Sequence, residues 1–476
     1  MSTAVDTAWE TVIGLEVHCE LSTATKLFCG CRNAFGDEPN TNICPVCLGL
    51  PGSLPVINRR AVEFAMRIGE ALHCTVQRSI FHRKNYFYPD MPKDYQVSQY
   101  DLPINVRGWI ELRSGARIGI TRAHMEEDTG KTSHVGGGGR IHEAGYALVD
   151  YNRAGVPLVE IVSDPDIRSA EEAHDYVTEL RAILAAIDVS DVKMEEGSLR
   201  VDANVSVRPA GSDEFGTRCE IKNLNSLRSL VRAVEYEVRR QIDVVQAGDR
   251  VVQETRHWNE EEGRTHSLRS KEEAFDYRYF PEPDLVPLEP SDDWLAEVQS
   301  SIPILPAERR AALAAEAGSS SPGDVAVVIE RGLDGLVRAA IAAGADPARV
   351  VTHAVHNLAV EGAANLDPDG LANLVKMETE GSLTATQAKK VLSEMLERGG
   401  DPAAIAAELG FEAMDQDAME ALVDQLIADN PAEFDRLKGG DQKVMGFFVG
   451  QAMKKTQGKA DGKIVTALLR ERASAP

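Results

Sequence analysis

Four of the seven cysteines stand in two close pairs near the start of the chain. Cys29 and Cys31 form the first pair, and Cys44 and Cys47 follow after a gap of twelve residues. Four thiolates at this spacing suit tetrahedral Zn²⁺, and an all-cysteine site is structural because it leaves no coordination position open. The alternative is four reduced, buried cysteines, but two tight pairs favour zinc. An odd cysteine count does not indicate a disulfide framework.

Acidic residues and a histidine recur within segments whose alternating pattern predicts β-strands. Glu16 and His18 would project from the same face of their strand, because side chains alternate along it. Further acids occur in three other segments, namely Glu126, Glu127, Asp202 and Glu220. Carboxylates suit Mg²⁺, a histidine among them also suits Mn²⁺, and such ions bridge ATP phosphates. Spacing alone favours ordinary surface charges, since it does not show that these strands meet.

The common phosphate-binding loops are not predicted. Residues 129–132 resemble the end of a P-loop, but Met125 stands where that motif requires glycine. The glycines at 136–139 are not followed by a helical pattern, so a Rossmann-type nucleotide site is not supported.

An aromatic and basic segment covers residues 81–100 (FHRKNYFYPDMPKDYQVSQY). Aromatic rings beside cations can stack bases and hold phosphates or a tRNA end. An aromatic stripe of this kind more often belongs to the hydrophobic core of a protein. Here Pro89 and Pro92 break regular structure, so a binding loop is at least as well supported.

The charge of the chain is unevenly distributed. A net charge of −24 argues against a general nucleic-acid binder. Residues 441–476, however, carry seven Lys or Arg against three acids. This asymmetry suggests a local nucleic-acid contact, with a solvated helical face as the alternative. No apolar run approaches the ~20 residues that span a bilayer, and the N-terminus lacks a secretory pattern, so a cytoplasmic protein with no membrane contact is expected.

The elements that must position these residues change character along the chain. Alternating apolar residues predict strands over residues 11–21, 117–125 and 199–208. Ser169 and Glu172 form a capping box before one predicted helix, and residues 226–246 form another. After residue 292 strand patterns largely vanish. Helix start signals then occur at Thr384 with Gln387 and at Asn430. The predicted fold class is α+β, with helical domains after the mixed one.

Several long, irregular strings of this sequence resemble one known family very closely, the B subunits of aspartyl/glutamyl-tRNA(Asn/Gln) amidotransferases. They include VIGLEVHCEL, RKNYFYPDMPKDYQVSQYD, HMEEDTGKTSH, DYNRAGVPLVEIVSDPD, RVDANVSVRP and EIKNLNSLRSL, and the tail string GFFVGQAMKKTQGKAD. The resemblance implies a cradle domain over residues 1–293, similar in fold to glutamine synthetase and holding the four cysteines. A helical domain over 294–407 and a tRNA-contacting tail over 408–476 would follow.

The resemblance also implies the reaction. Such a protein uses ATP to phosphorylate the side-chain carboxylate of Glu-tRNA(Gln), Asp-tRNA(Asn) or both. Ammonia from a partner amidase, the A subunit, then displaces phosphate, and a small C subunit completes a heterotrimer. A zinc-bearing RNA-binding scaffold without catalysis and a stand-alone carboxylate–amine ligase are the alternatives. The acids in the predicted strands argue against the scaffold, and the basic tail argues against the stand-alone ligase.

The resemblance assigns roles to residues of this chain. The expected ligands of Mg²⁺ (or Mn²⁺) are Glu16, His18, Glu126, Glu127, Asp202 and Glu220. Glu127, Asp202 and Lys222 are the expected catalytic residues. Arg153, Asn204 and Asn223 are expected to hold phosphate or substrate.

Overall fold

Strands dominate the first part of the chain and helices the second. The computed structural model describes residues 8–136, 145–268, 277–360, 362–411, 416–439, 441, 443–456, 460 and 462–474. It divides into two compact units, Met1–Pro306 and Ala307–Pro476. The predicted α+β class is confirmed.

The first unit contains fourteen strands and four helices in its described part. The strands are β1 (Trp9–Glu20), β2 (Thr75–Val76), β3 (His82–Asn85), β4 (Tyr95–Ser98), β5 (Asn105–Glu111), β6 (Arg117–Glu127), β7 (Lys131–Val135), β8 (Tyr146–Asp150), β9 (Pro157–Ser163), β10 (Leu199–Pro209), β11 (Cys219–Leu224), β12 (Thr255–Asn259), β13 (Arg264–Ser267) and β14 (Phe280–Pro281). The helices are α1 (Arg59–Ala71), α2 (Ala170–Ala186), α3 (Leu227–Gln246) and α4 (Asp292–Ser300).

Twelve of these strands form one mixed sheet. Its order is β13-β12-β11-β10-β1-β9-β6-β4-β3-β14, with β5 also on β6 and β2 on β5. The β11–β12 pair is parallel, and the other pairs of this sheet are antiparallel. Strands β7 and β8 form a separate two-stranded ribbon.

The central strand β1 shows how the two faces of the sheet differ. Ile13, Leu15 and Val17 are completely buried and join a core with residues of α1, α2 and α3. Burying each such side chain contributes about 1.5–3 kcal/mol. A slip of one residue would bury Glu16 and His18 instead, so this burial fixes the register and keeps the polar side chains on the opposite face.

The second unit is helical throughout its described part. Its elements are α5 (Pro306–Glu316), α6 (Pro322–Glu330), α7 (Asp334–Ala342), α8 (Pro347–His356), a 3-10 turn (Ala363–Asn365), α9 (Pro368–Thr379), α10 (Ala385–Arg398), α11 (Pro402–Glu408), α12 (Gln416–Asp429), α13 (Pro431–Lys438), α14 (Lys443–Lys455) and α15 (Gly462–Ser474). One hydrophobic core includes residues from Leu313 to Ala406, and a second includes residues from Met419 to Leu469.

The three predicted domains remain a prediction. The two cores of the second unit agree with a helical domain followed by a tail. At the first boundary, α4 packs through the buried Val298 on the core of the first unit, and that unit extends to Pro306.

The predicted capping residues can be compared with the observed starts of three helices. Ser169 Oγ accepts a hydrogen bond from Glu172 N (3.0 Å), but Glu172 Oε2 accepts from Arg168 N (2.7 Å). Thr384 and Gln387 form the complete reciprocal capping box at α10. The Asn430 side chain does not cap α13, because its Nδ2 donates back to Leu426 O (2.9 Å).

Candidate functional site

The polar face of the sheet gathers a histidine and two acids from three neighbouring strands. The ligand atoms of His18 on β1, Glu160 on β9 and Glu126 on β6 lie within 4.8 Å of one another. We call this set the histidine group. His18 is the direct cross-strand partner of Glu160, with Nε2 3.7 Å from Oε2. The sheet order β1-β9-β6 thus brings together residues that are far apart in sequence.

His124 lies beside the histidine group. Its Nε2 is 3.6 Å from Glu160 Oε2 and 4.0 Å from Glu126 Oε2. Burial lowers the pKa of His124 to about 4, so the ring is neutral at pH 7. Burial and the charge of Glu160 raise the pKa of Glu126. Two acids this close tend to keep a proton, which a divalent cation would displace.

Three acids form a second set on the same face. The ligand atoms of Glu16 on β1, Asp202 on β10 and Glu220 on β11 lie within 4.8 Å of one another. We call this set the carboxylate group. Glu16 and Asp202 are direct cross-strand partners. Each of the two groups therefore offers three ligand side chains, the number from which a hard divalent cation site can be built.

Two polar residues predicted for the site contact the carboxylate group. Asn204 Nδ2 donates to Glu16 Oε1 at 2.9 Å. Lys222 Nζ lies 2.7 Å from Asp202 Oδ2 and 3.1 Å from Glu220 Oε1. Although burial opposes it, the charges of these two acids raise the pKa of Lys222. Lys222 is therefore a cation at the edge of this group.

Glu127 is not brought into either group. It follows Glu126 on β6, so its side chain points to the opposite face of the sheet. There Glu127 Oε1 accepts from Val97 N at 2.8 Å and pairs with Lys93 Nζ. It lines a cavity of about 60 Å³ together with Cys29 and other residues. Alternation along the strand places only one of these two adjacent acids on the polar face.

Arg153 and Asn223 also lie outside the two groups. Arg153 donates to the carbonyl oxygens of Thr129 (2.9 Å) and Gly130 (3.1 Å). Asn223 donates through Nδ2 to Trp258 O at 3.0 Å and has a positive φ of 71°. In the structure both side chains donate hydrogen bonds to backbone carbonyl oxygens.

A third charged set lies at the end of β1. Arg200 Nη2 is 2.7 Å from Asp128 Oδ2, and its Nη1 is 3.4 Å from Glu20 Oε1. Burial and the adjacent Asp128 charge raise the pKa of Glu20 to about 8. Arg200 is the cross-strand partner of His18, which places this pair of acids beside the histidine group.

The four clustered cysteines do meet in space. The Sγ atoms of Cys29, Cys31, Cys44 and Cys47 lie within 4.8 Å of one another. Cys44 N also donates to Cys47 Sγ at 3.1 Å, and a hydrogen bond from Cys29 lowers the pKa of Cys47 to about 5. A cluster that could hold a metal ion is therefore present where the sequence predicts it.

Sequence reasoning missed Glu160, the third member of the histidine group. Its strand, PLVEIVS, is otherwise apolar or small and is largely buried. A lone acid in such a strand is a signal in itself, because burying a carboxylate costs free energy unless a partner or cation compensates it. His124 gave a similar signal and was not assigned a role.

The remaining predicted features are placed as follows. Residues 81–100 form β3, β4 and the segment joining them, where Tyr86 and Tyr88 stack with ring centroids 4.6 Å apart. In the basic tail, Lys455 and Arg472 pair with acids of their own unit. Lys459 and the glycines at 137–139 lie outside the described residues. Among the described helices, none is long and apolar enough to cross a membrane.

Comparisons with known proteins agree along the length of the chain. Residues 11–296 match the GatB/GatE catalytic domain, and residues 345–472 match the GatB domain. The B subunit of the aspartyl/glutamyl-tRNA(Asn/Gln) amidotransferase of Salinispora arenicola is 51% identical, over 98% of this chain and 97% of the relative. The B subunit of Frankia casuarinae is 50% identical over 98% and 95%, and that of Brevibacillus brevis is 47% identical over 97% and 98%. The chain therefore belongs to the family that carries the GatB/GatE catalytic domain.

Proposed function

We propose that this chain is the B subunit of a glutamine-hydrolysing, tRNA-dependent amidotransferase. It uses ATP to phosphorylate the side-chain carboxylate of Glu-tRNA(Gln), Asp-tRNA(Asn) or both, and the product is the corresponding amide. The names of relatives about half identical to it support this assignment. We propose the cytoplasm, a compartment in which aminoacyl-tRNA is made and used, as its location.

One observation carries the proposal. The histidine group and the carboxylate group lie on the same polar face of one sheet. Strand β1 contributes His18 to the first group and Glu16 to the second. A carboxylate is a poor electrophile, and phosphorylation gives it a leaving group. Phosphoryl transfer to it requires neutralisation of the charge on the phosphate oxygens. Two neighbouring cation sites suit that task.

The donor sets fit divalent cations. His18, Glu126 and Glu160 supply one nitrogen and two carboxylates, as Mg²⁺ or Mn²⁺ accept, and Glu16, Asp202 and Glu220 supply oxygen donors. When bound, the cations would neutralise charge on the phosphate oxygens of ATP.

The chain's own residues then have distinct tasks. Asn204 holds Glu16 in place through its 2.9 Å hydrogen bond. Lys222 supplies a cation beside Asp202 for a phosphate oxygen. In the reaction, a carboxylate oxygen bonds to the γ-phosphorus, and the bond to the β,γ-bridging oxygen breaks. ADP leaves with that electron pair. Ammonia then bonds to the acyl carbon, phosphate leaves, and the nitrogen loses a proton.

Three predicted residues keep a proposed role that rests on resemblance alone. Glu127 lies on the other face of the sheet, so any contribution to catalysis would have to be made from the side of the cysteine cluster. Arg153 and Asn223 hold backbone segments near the polar face, and we propose that they shape the pocket for phosphate or substrate.

The cysteine cluster is proposed to bind structural Zn²⁺. Its four thiolates fill a tetrahedral site, so no position remains for a reacting group. The cluster lies at the cavity on the side of Glu127, and not among the two groups of the polar face. Its role is therefore to fix the loop segments that carry the cysteines.

The partners are proposed from the same resemblance. An amidase, the A subunit, supplies ammonia, and a small C subunit joins the two larger chains in a heterotrimer. The tail over residues 408–476 contacts the misacylated tRNA. The relatives are named as one lettered subunit of an amidotransferase, which supports a multisubunit complex.

The test is an assay of the assembled complex with each misacylated tRNA, with and without ATP and Mg²⁺. We expect phosphate release that depends on Glu-tRNA(Gln) or Asp-tRNA(Asn), and amide on the tRNA when glutamine is supplied. Tight tRNA binding without any ATP cleavage would favour the zinc-bearing RNA scaffold instead.

A further inference from the structure

Lys84 is a cation on the same polar face of the sheet as the two groups. It lies on β3, partly buried. In the described part of the chain its ammonium makes no hydrogen bond and no ion pair. Its contact is the ring of Tyr277, whose centroid is 4.9 Å from Nζ. An ammonium carries three donors, and leaving them unsatisfied at a partly buried position is costly.

The surroundings keep Lys84 charged. Although burial opposes it, the charges of Glu126 and Glu160, both of the histidine group, contribute to raising its pKa. The Tyr277 ring beside Lys84 packs edge-on against Tyr279, with ring centroids 6.1 Å apart, and Tyr279 stacks on Tyr100 with centroids 4.2 Å apart. The neighbouring cations of this face have acidic partners: Lys222 is paired with Asp202, Arg200 with Asp128, and Arg122 lies 3.9 Å from Glu160. Lys84 is therefore available to a ligand with negative oxygen atoms.

The sheet order places Lys84 and Lys222 at opposite ends of the row of cation-binding groups. From β11 to β3 the strands run β11-β10-β1-β9-β6-β4-β3. Lys222 lies on β11 beside the carboxylate group, and Lys84 lies on β3 beyond the histidine group. In an in-line displacement, the attacking and leaving oxygens lie on opposite sides of the transferred phosphoryl group. The acceptor and the nucleotide therefore bind on opposite sides of the transferred group, and each of the two lysines lies toward one of those sides.

We infer that Lys84 binds the side-chain carboxylate of the aminoacyl-tRNA, the acceptor of the phosphoryl group, while the nucleotide lies toward Lys222. This inference rests on the proposed function and adds a substrate contact to it. A single ammonium suits a single carboxylate, whereas a triphosphate needs the metal-rich part of the face. The half-exposed ring of Tyr100 lies at the same end, where the RNA terminus would approach.

The test compares the assembled complex carrying Lys84→Met, Lys84→Gln or Lys84→Arg with the wild type and with Lys193→Met. Lys193 is a solvent-exposed lysine that pairs with Glu196, so its loss controls for charge. We expect Lys84→Met and Lys84→Gln to lower kcat/KM for Glu-tRNA(Gln) in tRNA-dependent ATP cleavage by roughly 10- to 100-fold. The KM for ATP should change less than about twofold, and Lys84→Arg should recover part of the loss.

A binding measurement separates this inference from the proposed function. The wild-type complex should bind Glu-tRNA(Gln) more tightly than Gln-tRNA(Gln), which lacks the negative charge. Lys84→Met should remove that preference without changing affinity for the amide form. If Lys84→Met fails to assemble, Lys84→Gln carries the comparison. An unchanged preference in a folded variant would overturn the inference, as would a loss confined to the KM for ATP, which would assign Lys84 to a phosphate. If the wild type cleaves no ATP with either Glu-tRNA(Gln) or Asp-tRNA(Asn), the proposed function fails, and the binding preference still tests Lys84.

Discussion

Lys222 Nζ lies 2.7 Å from Asp202 Oδ2, at a carboxylate that the proposed function assigns to a divalent cation. The lysine and a cation cannot both keep this position without repulsion. Lys222 therefore offsets part of the negative charge of the carboxylate group, and under the proposed function it would turn toward a phosphate oxygen once a cation binds.

The first prediction concerns this competition. Lys222→Met removes a positive charge next to Asp202 and Glu220, so Mn²⁺ should bind the nucleotide-free protein more tightly, on the order of tenfold. Free Mn²⁺, measured by electron paramagnetic resonance during a titration, reports this affinity. Lys193→Met should behave as the wild type. Unchanged Mn²⁺ affinity in a folded Lys222→Met variant would contradict this competition and would argue against a cation site at the carboxylate group.

The second prediction concerns the cysteine cluster. Elemental analysis of the purified chain should give one zinc per molecule, and the double variant Cys44→Ser, Cys47→Ser should contain none. Because a structural metal contributes folding free energy, its unfolding midpoint should fall by about 5 °C or more. Cys74→Ser is the matched control, since Cys74 lies outside the cluster. Zinc retained by the double variant would place the metal elsewhere.

The sequence predicts which side chains share a face of a strand, but it does not predict the order in which the strands pair. Alternation along β1 places Glu16 and His18 on one face, and the structure has them there. The same rule separates Glu126 from Glu127, so only Glu126 joins a group on the polar face. That β9 lies between β1 and β6 is a non-local pairing, and no local pattern reveals it. The lone acid in β9 therefore marks Glu160 as unusual, but its place beside His18 and Glu126 does not follow from the local sequence.

Domain-scale features were predicted to different degrees. The change to helices after residue 292 follows from composition and is confirmed. The packing of α4 on the sheet-containing unit depends on long-range contacts of Val298. A capping box identifies the start of a helix but not the core on which that helix packs.

The third prediction concerns pH. The pKa of Glu20 is raised to about 8 in the folded chain by burial and by Asp128, above the value of about 4.3 for an unperturbed glutamate. A raised folded pKa stabilises the protein fully below the unfolded pKa, and that stabilisation is lost as pH rises through the folded pKa. The wild type should therefore lose stability between pH 5 and pH 8 relative to Glu20→Gln, which cannot ionise.

Unfolding midpoints of the two proteins, measured across this range, check the third prediction. The difference in favour of Glu20→Gln should grow toward pH 8. Glu171→Gln, which alters an exposed acid in the first turn of α2, should follow the wild type at every pH. A constant difference between wild type and Glu20→Gln would mean that Glu20 ionises normally.

The fourth prediction addresses the central claim, that the two groups of the polar face hold the cations for phosphoryl transfer. The most direct measurement is phosphate release dependent on misacylated tRNA and Mg²⁺ by the assembled complex. Glu16→Gln and Glu160→Gln each remove one carboxylate ligand, one from each group. Each variant should slow release by roughly 100-fold or more, while Glu171→Gln keeps the wild-type rate. Phosphate release at the wild-type rate by folded, assembled Glu16→Gln and Glu160→Gln complexes would contradict the claim.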